Sequence, residues 1–159
     1  MMRFAVREAG SADAAAIVAL VRQFNVEEGN PPGDFTIQDV EELAFGAQPR
    51  FAVMVAEIRG ELVGYAVSFR SYDTEHAAQG FYLQDLYVLP EARGLGIGRA
   101  LLSAVARACL ADGGCYLFWN AREGNTDGRA FYRAIGAREE PVITLSLQPD
   151  ALRRLAGRG

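Results

Sequence analysis

Asp85-Leu86-Tyr87-Val88-Leu89-Pro90-Glu91-Ala92-Arg93-Gly94-Leu95-Gly96-Ile97-Gly98-Arg99-Ala100-Leu101 is the most informative segment of the chain. An apolar strand pattern runs into a glycine-rich turn and then into an amphipathic helix. Glycines at 94, 96 and 98 open backbone dihedrals closed to other residues and let a ligand approach the chain closely. The helix that follows offers unpaired N–H groups and the positive end of its dipole, so the expected guest is a phosphate or pyrophosphate. Spacing narrows the choice. A dinucleotide fingerprint needs Gly-x-Gly-x-x-Gly in a first strand-turn-helix unit, whereas this chain has Gly-x-Gly-x-Gly near its middle. A nucleoside-triphosphate loop ends in Gly-Lys-Ser/Thr, and here Arg99-Ala100 stands in that place, without the lysine or the magnesium-binding hydroxyl.

A second pattern lies downstream, Asn125-Thr126-Asp127-Gly128-Arg129-Ala130-Phe131-Tyr132-Arg133-Ala134-Ile135-Gly136-Ala137. Asn125 or Thr126 can cap a helix, Phe131 and Ile135 form an apolar i, i+4 pair, and Gly136 supplies a left-handed stop. Upstream, residues 3–8 read as a strand. Ser11 or Asp13 caps a helix carrying Ile17, Leu20, Val21 and Phe24 and ending near Gly29. A loop at 30–33 leads to a short helix from Thr36 to Gly46. Residues 51–58 and 61–71 read as strands joined by a hairpin turn at Arg59-Gly60, and 81–88 as the next strand. A helix over 98–111, a buried strand over 115–119, the helix after Asn125 and a β-rich run over 142–147 complete the order β-α-α-β-β-β-α-β-α-β. The fold class is therefore α/β, in one domain spanning 1–159.

Composition removes several function classes. With 159 residues, half of them hydrophobic, the chain suffices for one core, and no segment reads as a membrane span. The first residues lack an apolar run of signal-peptide length, so the expected location is the cytoplasm. A net charge of −4 argues against a nucleic-acid partner. The basic tail Arg153, Arg154, Arg158 reads as a solvated helix end. Two cysteines, Cys109 and Cys115, make no disulfide framework and read as buried packing; with one histidine, no metal site is expected.

The two motifs together resemble the GNAT N-acetyltransferase superfamily. Its acyl-CoA pyrophosphate loop, Arg/Gln-x-x-Gly-x-Gly/Ala, is similar to Arg93-Gly94-Leu95-Gly96-Ile97-Gly98, and its Asn-x-x-Ala-x-x-Phe-Tyr signature is similar to the stretch from Asn125 to Tyr132, with Gly128 where Ala is usual. The resemblance covers nearly the whole chain and is closest to the diamine (spermidine/spermine) acetyltransferase branch, above all in Tyr82-Leu83-Gln84-Asp85-Leu86-Tyr87-Val88. In that branch Glu is common at the position of Gln84, and a Gln cannot take a proton.

The resemblance implies direct transfer of acetyl from acetyl-CoA to a primary amine, without a metal. It also implies the GNAT fold, a mixed sheet flanked by helices, in which two neighbouring strands are expected to splay and admit the thioester. The implied coenzyme site is Arg93, Gly94, Leu95, Gly96, Ile97, Gly98, Arg99, Asn125 and Tyr132, with the backbone of Leu86, Tyr87 and Val88 pairing with the pantetheine arm and stabilising the oxyanion. Tyr132 is the acid for the departing thiolate. The amine, with an unperturbed pKa of roughly 10, must lose a proton, which Asp85 can accept through water if it faces the cleft. Strand alternation places Gln84 and Asp85 on opposite faces and does not say which faces the cleft. Glu27 and Glu28 read either as ligands of a cationic substrate, with Gln84 and Asp85, or as a solvated helix end. His76 has a suitable pKa but no visible partner in its loop. Trp119 reads as core filling in preference to lining the acceptor pocket. The expected acceptor is a polyamine-like or amino-acid-like small molecule; the alternatives are a protein Lys or N-terminus, or a non-catalytic acyl-CoA sensor. The resemblance also implies a homodimer, for which the 142–147 run offers an edge.

Overall fold

A computed structural model describes residues 3–157. Its packing divides the chain into two compact units, Met1–Asn120 and Ala121–Gly159.

The first unit is built on a five-stranded sheet in the order β1-β2-β3-β4-β5. Strands β1 (Ala5–Glu8), β2 (Ala52–Ile58), β3 (Glu61–Asp73) and β4 (Ala78–Val88) run antiparallel to their neighbours, and β5 (Leu117–Phe118) runs parallel to β4. Arg59 and Gly60, both at positive φ, make the tight β2–β3 turn that matches the right-handed twist of paired strands. Helix α1 (Ala14–Glu27) buries Ala14, Ile17, Val18, Leu20 and Val21, the face its apolar spacing foretells. These side chains join Val40 of helix α2 (Ile37–Phe45) and Val53, Val55, Tyr65, Val67 and Tyr87 of the sheet in one core. Each large apolar side chain buried there contributes about 1.5–3 kcal/mol. Thr36 and Asp39 cap α2 reciprocally: the Asp39 N–H donates to Thr36 Oγ1 and the Thr36 N–H to the Asp39 carboxylate.

Helix α3 (Ile97–Ala111) buries Ile97, Leu101, Leu102, Ala104, Val105 and Cys109 and covers the other face of the sheet. A Cβ added at Gly64 would meet Leu101 Cδ1 at 3.4 Å, so Gly64, Ala66 and Ser68 of β3 face α3. Tyr65 and Val67 face α1. The β3–β4 register shifts once: Val67 pairs with Asp85 and Ser68 with Leu83, leaving Gln84 as an extra residue, a β-bulge.

Two expected strands need correction. The buried strand over 115–119 shrinks to Leu117–Phe118, whose parallel ladder with β4 covers only Phe81 and Tyr82, and Cys115, expected to be buried, is exposed. In the second unit the 142–147 run forms no strand, because that unit has none to pair with among the described residues; Ile143 and Leu145 are 87% and 88% exposed. That unit holds helices α4 (Thr126–Ala134) and α5 (Pro149–Leu155), the latter carrying Arg153 and Arg154 in its last turn. Arg158 lies outside the described residues. The expected edge strand is thus an exposed segment without regular secondary structure.

Candidate active site

Strand β4 leaves the sheet through a 3-10 turn, Pro90–Ala92, and reaches the glycine loop. Gly94 and Gly96 have φ of 76° and 84°, a region that penalises any Cβ, and Gly96 is the left-handed N-cap of α3. No side chain caps that end, and the Ala100 N–H is the first to bond back, to the Gly96 carbonyl. The first-turn N–H groups of Ile97, Gly98 and Arg99 are left for an anion, and the buried Ile97 and Leu101 fix the helix beneath them. Gly98 lies inside the first helical turn without a positive φ, so only two of the three loop glycines serve the expected dihedral role. Leu95 and Arg99 are exposed.

Arg93 is held by three partners. Its Nε donates to the Val88 carbonyl (2.9 Å), its Nη2 to Glu27 Oε1 (2.5 Å), and its guanidinium carbon lies 5.7 Å from the centre of the Tyr87 ring. The Tyr87 hydroxyl donates to Glu27 Oε2 at 3.0 Å. Burial, reinforced by Glu27, pushes the Tyr87 phenol up to about 12, so it stays a donor. Glu28 is the half-buried C-cap of α1, with Gly29 beyond it at positive φ.

The bulge decides the face of Asp85. Asp85 pairs with Val67, and Tyr87 with Tyr65, so Asp85 shares the α1 face with Tyr87, while Gln84 is exposed at the bulge. The Tyr65 hydroxyl donates to Asp85 Oδ2 at 3.4 Å. Burial raises the Asp85 carboxyl above the usual carboxylate range, and the Tyr65 hydrogen bond opposes that shift only in part. Tyr65 itself, fully buried, is pushed far above the ordinary phenol range. Beyond the bulge Tyr82 returns to the same face as Asp85, with its ring 5.1 Å from Phe69 and 4.8 Å from Phe118. Within the first unit, β5 pairs with β4 only at Phe81 and Tyr82, so the edge of β4 opposite β3 is open from Leu83 to Val88. This edge carries Leu86, Tyr87 and Val88, the backbone expected to pair with the pantetheine arm.

Asn125 and Tyr132 lie in the second unit. Asn125 Oδ1 accepts from the Gly128 N–H at 3.0 Å and caps α4, so of the two capping candidates it is Asn125 that acts. A Cβ at position 128 would stand 2.5–2.8 Å from the Asn125 side chain, which explains why glycine replaces the usual alanine. Tyr132 is half-buried, with its ring 5.3 Å from Phe131, and burial raises its phenol pKa. Glu139 pairs with Arg129 and Arg133 and ties the end of α4 to the segment after it.

His76 has a partner after all: its Nδ1 lies 2.8 Å from Asp73 Oδ2 in the exposed β3–β4 turn. Trp119 is half-buried, short of the expected core position. Among the described residues no group of three or more His, Cys, Asp or Glu could hold a metal, and no helix is long and apolar enough to cross a membrane. Sequence reasoning missed Tyr65 as the partner of Asp85 and the Glu27–Arg93–Tyr87 cluster. The first was legible only as strand parity across an undetected bulge; the second joins residues 66 apart in sequence and left no local signal.

The chain is similar to known acetyltransferases in sequence and fold. Residues 15–137, which run through both units, match the model of the acetyltransferase (GNAT) family. The thialysine N-epsilon-acetyltransferase of Sus scrofa is 32% identical over 167 residues, covering 96% of this chain and 97% of that protein. An aminoglycoside N(6')-acetyltransferase type 1 of Stenotrophomonas maltophilia is 33% identical over 154 residues, covering 92% and 95%. Among solved structures, the aminoglycoside N-acetyltransferase AAC(6')-Iy in complex with CoA superposes with a TM-score of 0.78 at 20% identity, covering 94% of this chain and 97% of that one.

Proposed function

The chain belongs to the GNAT acetyltransferase family, and from that membership and its site we infer an N-acetyltransferase that moves the acetyl group of acetyl-CoA directly to a primary amine of a small molecule. The observation that carries this reading is the uncapped α3 N-terminus behind Gly94 and Gly96, set at the end of an open β4 edge. One element offers a diphosphate cradle, and the next offers unpaired strand N–H groups for the pantetheine arm and the oxyanion.

Asp85 takes the proton of the acceptor ammonium, through water where it does not touch it, and the freed nitrogen lone pair attacks the thioester carbonyl. The N–C bond forms, the C–S bond breaks, and the Tyr132 hydroxyl returns a proton to the coenzyme thiolate. The raised pKa makes Asp85 a stronger base than an ordinary carboxylate, and Tyr132, a phenol, carries its proton at neutral pH and can return it to the thiolate. Gln84, exposed at the bulge and unable to take a proton, orients the acceptor by hydrogen bonding. The net charge of −4, with relatives named for thialysine and aminoglycosides, supports a small cationic acceptor. A homodimer is part of the same proposal, supported by the exposed apolar side chains of 142–147.

The test is coenzyme thiol release with acetyl-CoA and a panel of thialysine, ornithine, polyamines, aminoglycosides and a lysine peptide. Release with a small amine is expected, and Tyr132→Phe, which keeps the ring, should lower turnover by roughly ten- to ten-thousand-fold. Release with the lysine peptide alone would move the acceptor class to protein, and an unchanged Tyr132→Phe rate would remove that residue from the mechanism.

A further inference from the structure

We propose that Glu27 is a positioning residue for the coenzyme rather than a ligand of the acceptor amine: it locks Arg93 at the end of the open β4 edge and thereby fixes the loop that receives the diphosphate. The proposal rests on the acetyltransferase reading above and assigns a role inside it.

Both carboxylate oxygens of Glu27 are engaged, Oε1 by Arg93 and Oε2 by the Tyr87 hydroxyl, and both partners belong to the coenzyme side of the site. Arg93 in turn is fixed from three directions: by the last residue of α1, by the face of the Tyr87 ring and by the Val88 carbonyl. The direction of that carbonyl matters. The Leu89 N–H donates to Val63 O of the β2–β3 side of the sheet, and a trans peptide points its C=O opposite to its N–H. The Val88 carbonyl therefore faces the open edge of β4, and Arg93 closes the end of that edge.

The two residues that follow within the loop explain why such a lock is needed. Gly94 and Gly96 adopt positive φ, but glycine occupies that region without preferring it to many others. A loop with two such hinges holds one shape only if a neighbour pins it, and Arg93 adjoins the first hinge directly. A planar guanidinium with fork geometry suits a three-point hold in a way an ammonium does not. Because Arg93 is bound to Glu27 and Val88, the diphosphate is left to the backbone N–H groups of the loop and the α3 terminus. Arg93 and Glu27 both remain partly exposed, so the pair adds little to global stability. Its loss should show in coenzyme binding rather than in melting temperature.

The experiment compares wild type, Glu27→Gln and Tyr87→Phe by calorimetric titration with CoA, by KM for acetyl-CoA and for the amine, by kcat and by melting temperature. Glu27→Gln is expected to weaken CoA binding and raise the acetyl-CoA KM by roughly 5- to 30-fold, the scale of one lost charge-assisted hydrogen bond, while the amine KM and kcat move less than about threefold. Tyr87→Phe, which removes the other hold on Glu27, should shift the same constant in the same direction by less. A raised amine KM with intact CoA affinity would overturn the proposal and return Glu27 to the acceptor site. Unchanged values of both constants would reduce the pair to a surface contact and overturn it equally. A wild type that binds no CoA sinks the acetyltransferase reading itself, a result distinct from any behaviour of the variants.

Discussion

Asp85 is a carboxylate held where its charged form is disfavoured, and that single fact links its stability to its chemistry. Burial raises its folded pKa above the unfolded value near 3.9. The cost to the fold is absent in acid, grows as pH climbs from the unfolded pKa through the folded one, and is constant above it. Asp85→Asn keeps the shape and an acceptor for the Tyr65 hydroxyl while deleting the charge. At pH 7 it should raise the melting temperature by a few degrees, since about 1 kcal/mol moves a chain of this size by roughly 2–4 °C. The gain should vanish below about pH 4. Turnover should fall by roughly a hundred- to ten-thousand-fold. In wild type the acidic limb of kcat against pH should lie above the ordinary carboxylate range, and Tyr65→Phe, which removes the one hydrogen bond opposing the shift, should move it higher still. A limb that moved lower would contradict the assignment of Asp85 as base.

The elements differ in how much of themselves the sequence discloses, and the difference follows from where their stabilisation comes from. Helices α1, α2 and α3 carry local signals, an apolar stripe or a capping pair, and their expected spans lie within a few residues of the observed ones. The β2–β3 hairpin was legible because Arg59-Gly60 accepts positive φ at both turn positions. Residues 142–147 had the right composition for a strand but lack a partner within their unit, and a strand without a partner is not a strand. The bulge at Gln84 leaves no composition signal, so the face of Asp85 could not be read before the register was known. The cap of α4 shows the opposite case, a local rule with a local test. Gly128→Ala should displace the Asn125 side chain and forfeit about 1 kcal/mol of capping, while alanine returns about 1 kcal/mol of helix propensity. Chemical denaturation should find the variant within about 1 kcal/mol of wild type. A loss well beyond that would mean the cap cannot move aside.

At the scale of the whole molecule, the family match runs through both compact units, and the candidate acid lies in the second while loop and base lie in the first. The candidate coenzyme loop was legible because backbone chemistry writes itself as glycines; the proposed acceptor side was not, because it depends on which face a few side chains share. The proposed homodimer also belongs to this scale. Wild type should sediment at twice the 17.2 kDa chain mass, and Ile143→Lys with Leu145→Lys should return it to one chain mass, since both side chains are exposed in the single chain. A wild type that sediments as one chain at micromolar concentration would remove the dimer. The bulge has a further consequence for how this molecule tolerates change. Phe81 and Leu83, on one side of Gln84, and Tyr87, on the other, are all buried, yet they serve opposite faces of the sheet. Deleting Gln84 would make Leu83 and Asp85 neighbours opposite Ser68 and Val67, so strict alternation would return with every other side chain on its present face. Gln84 is thus the place where β4 can shed length, and the placement of Asp85 rests on its pairing with Val67 rather than on the extra residue beside it.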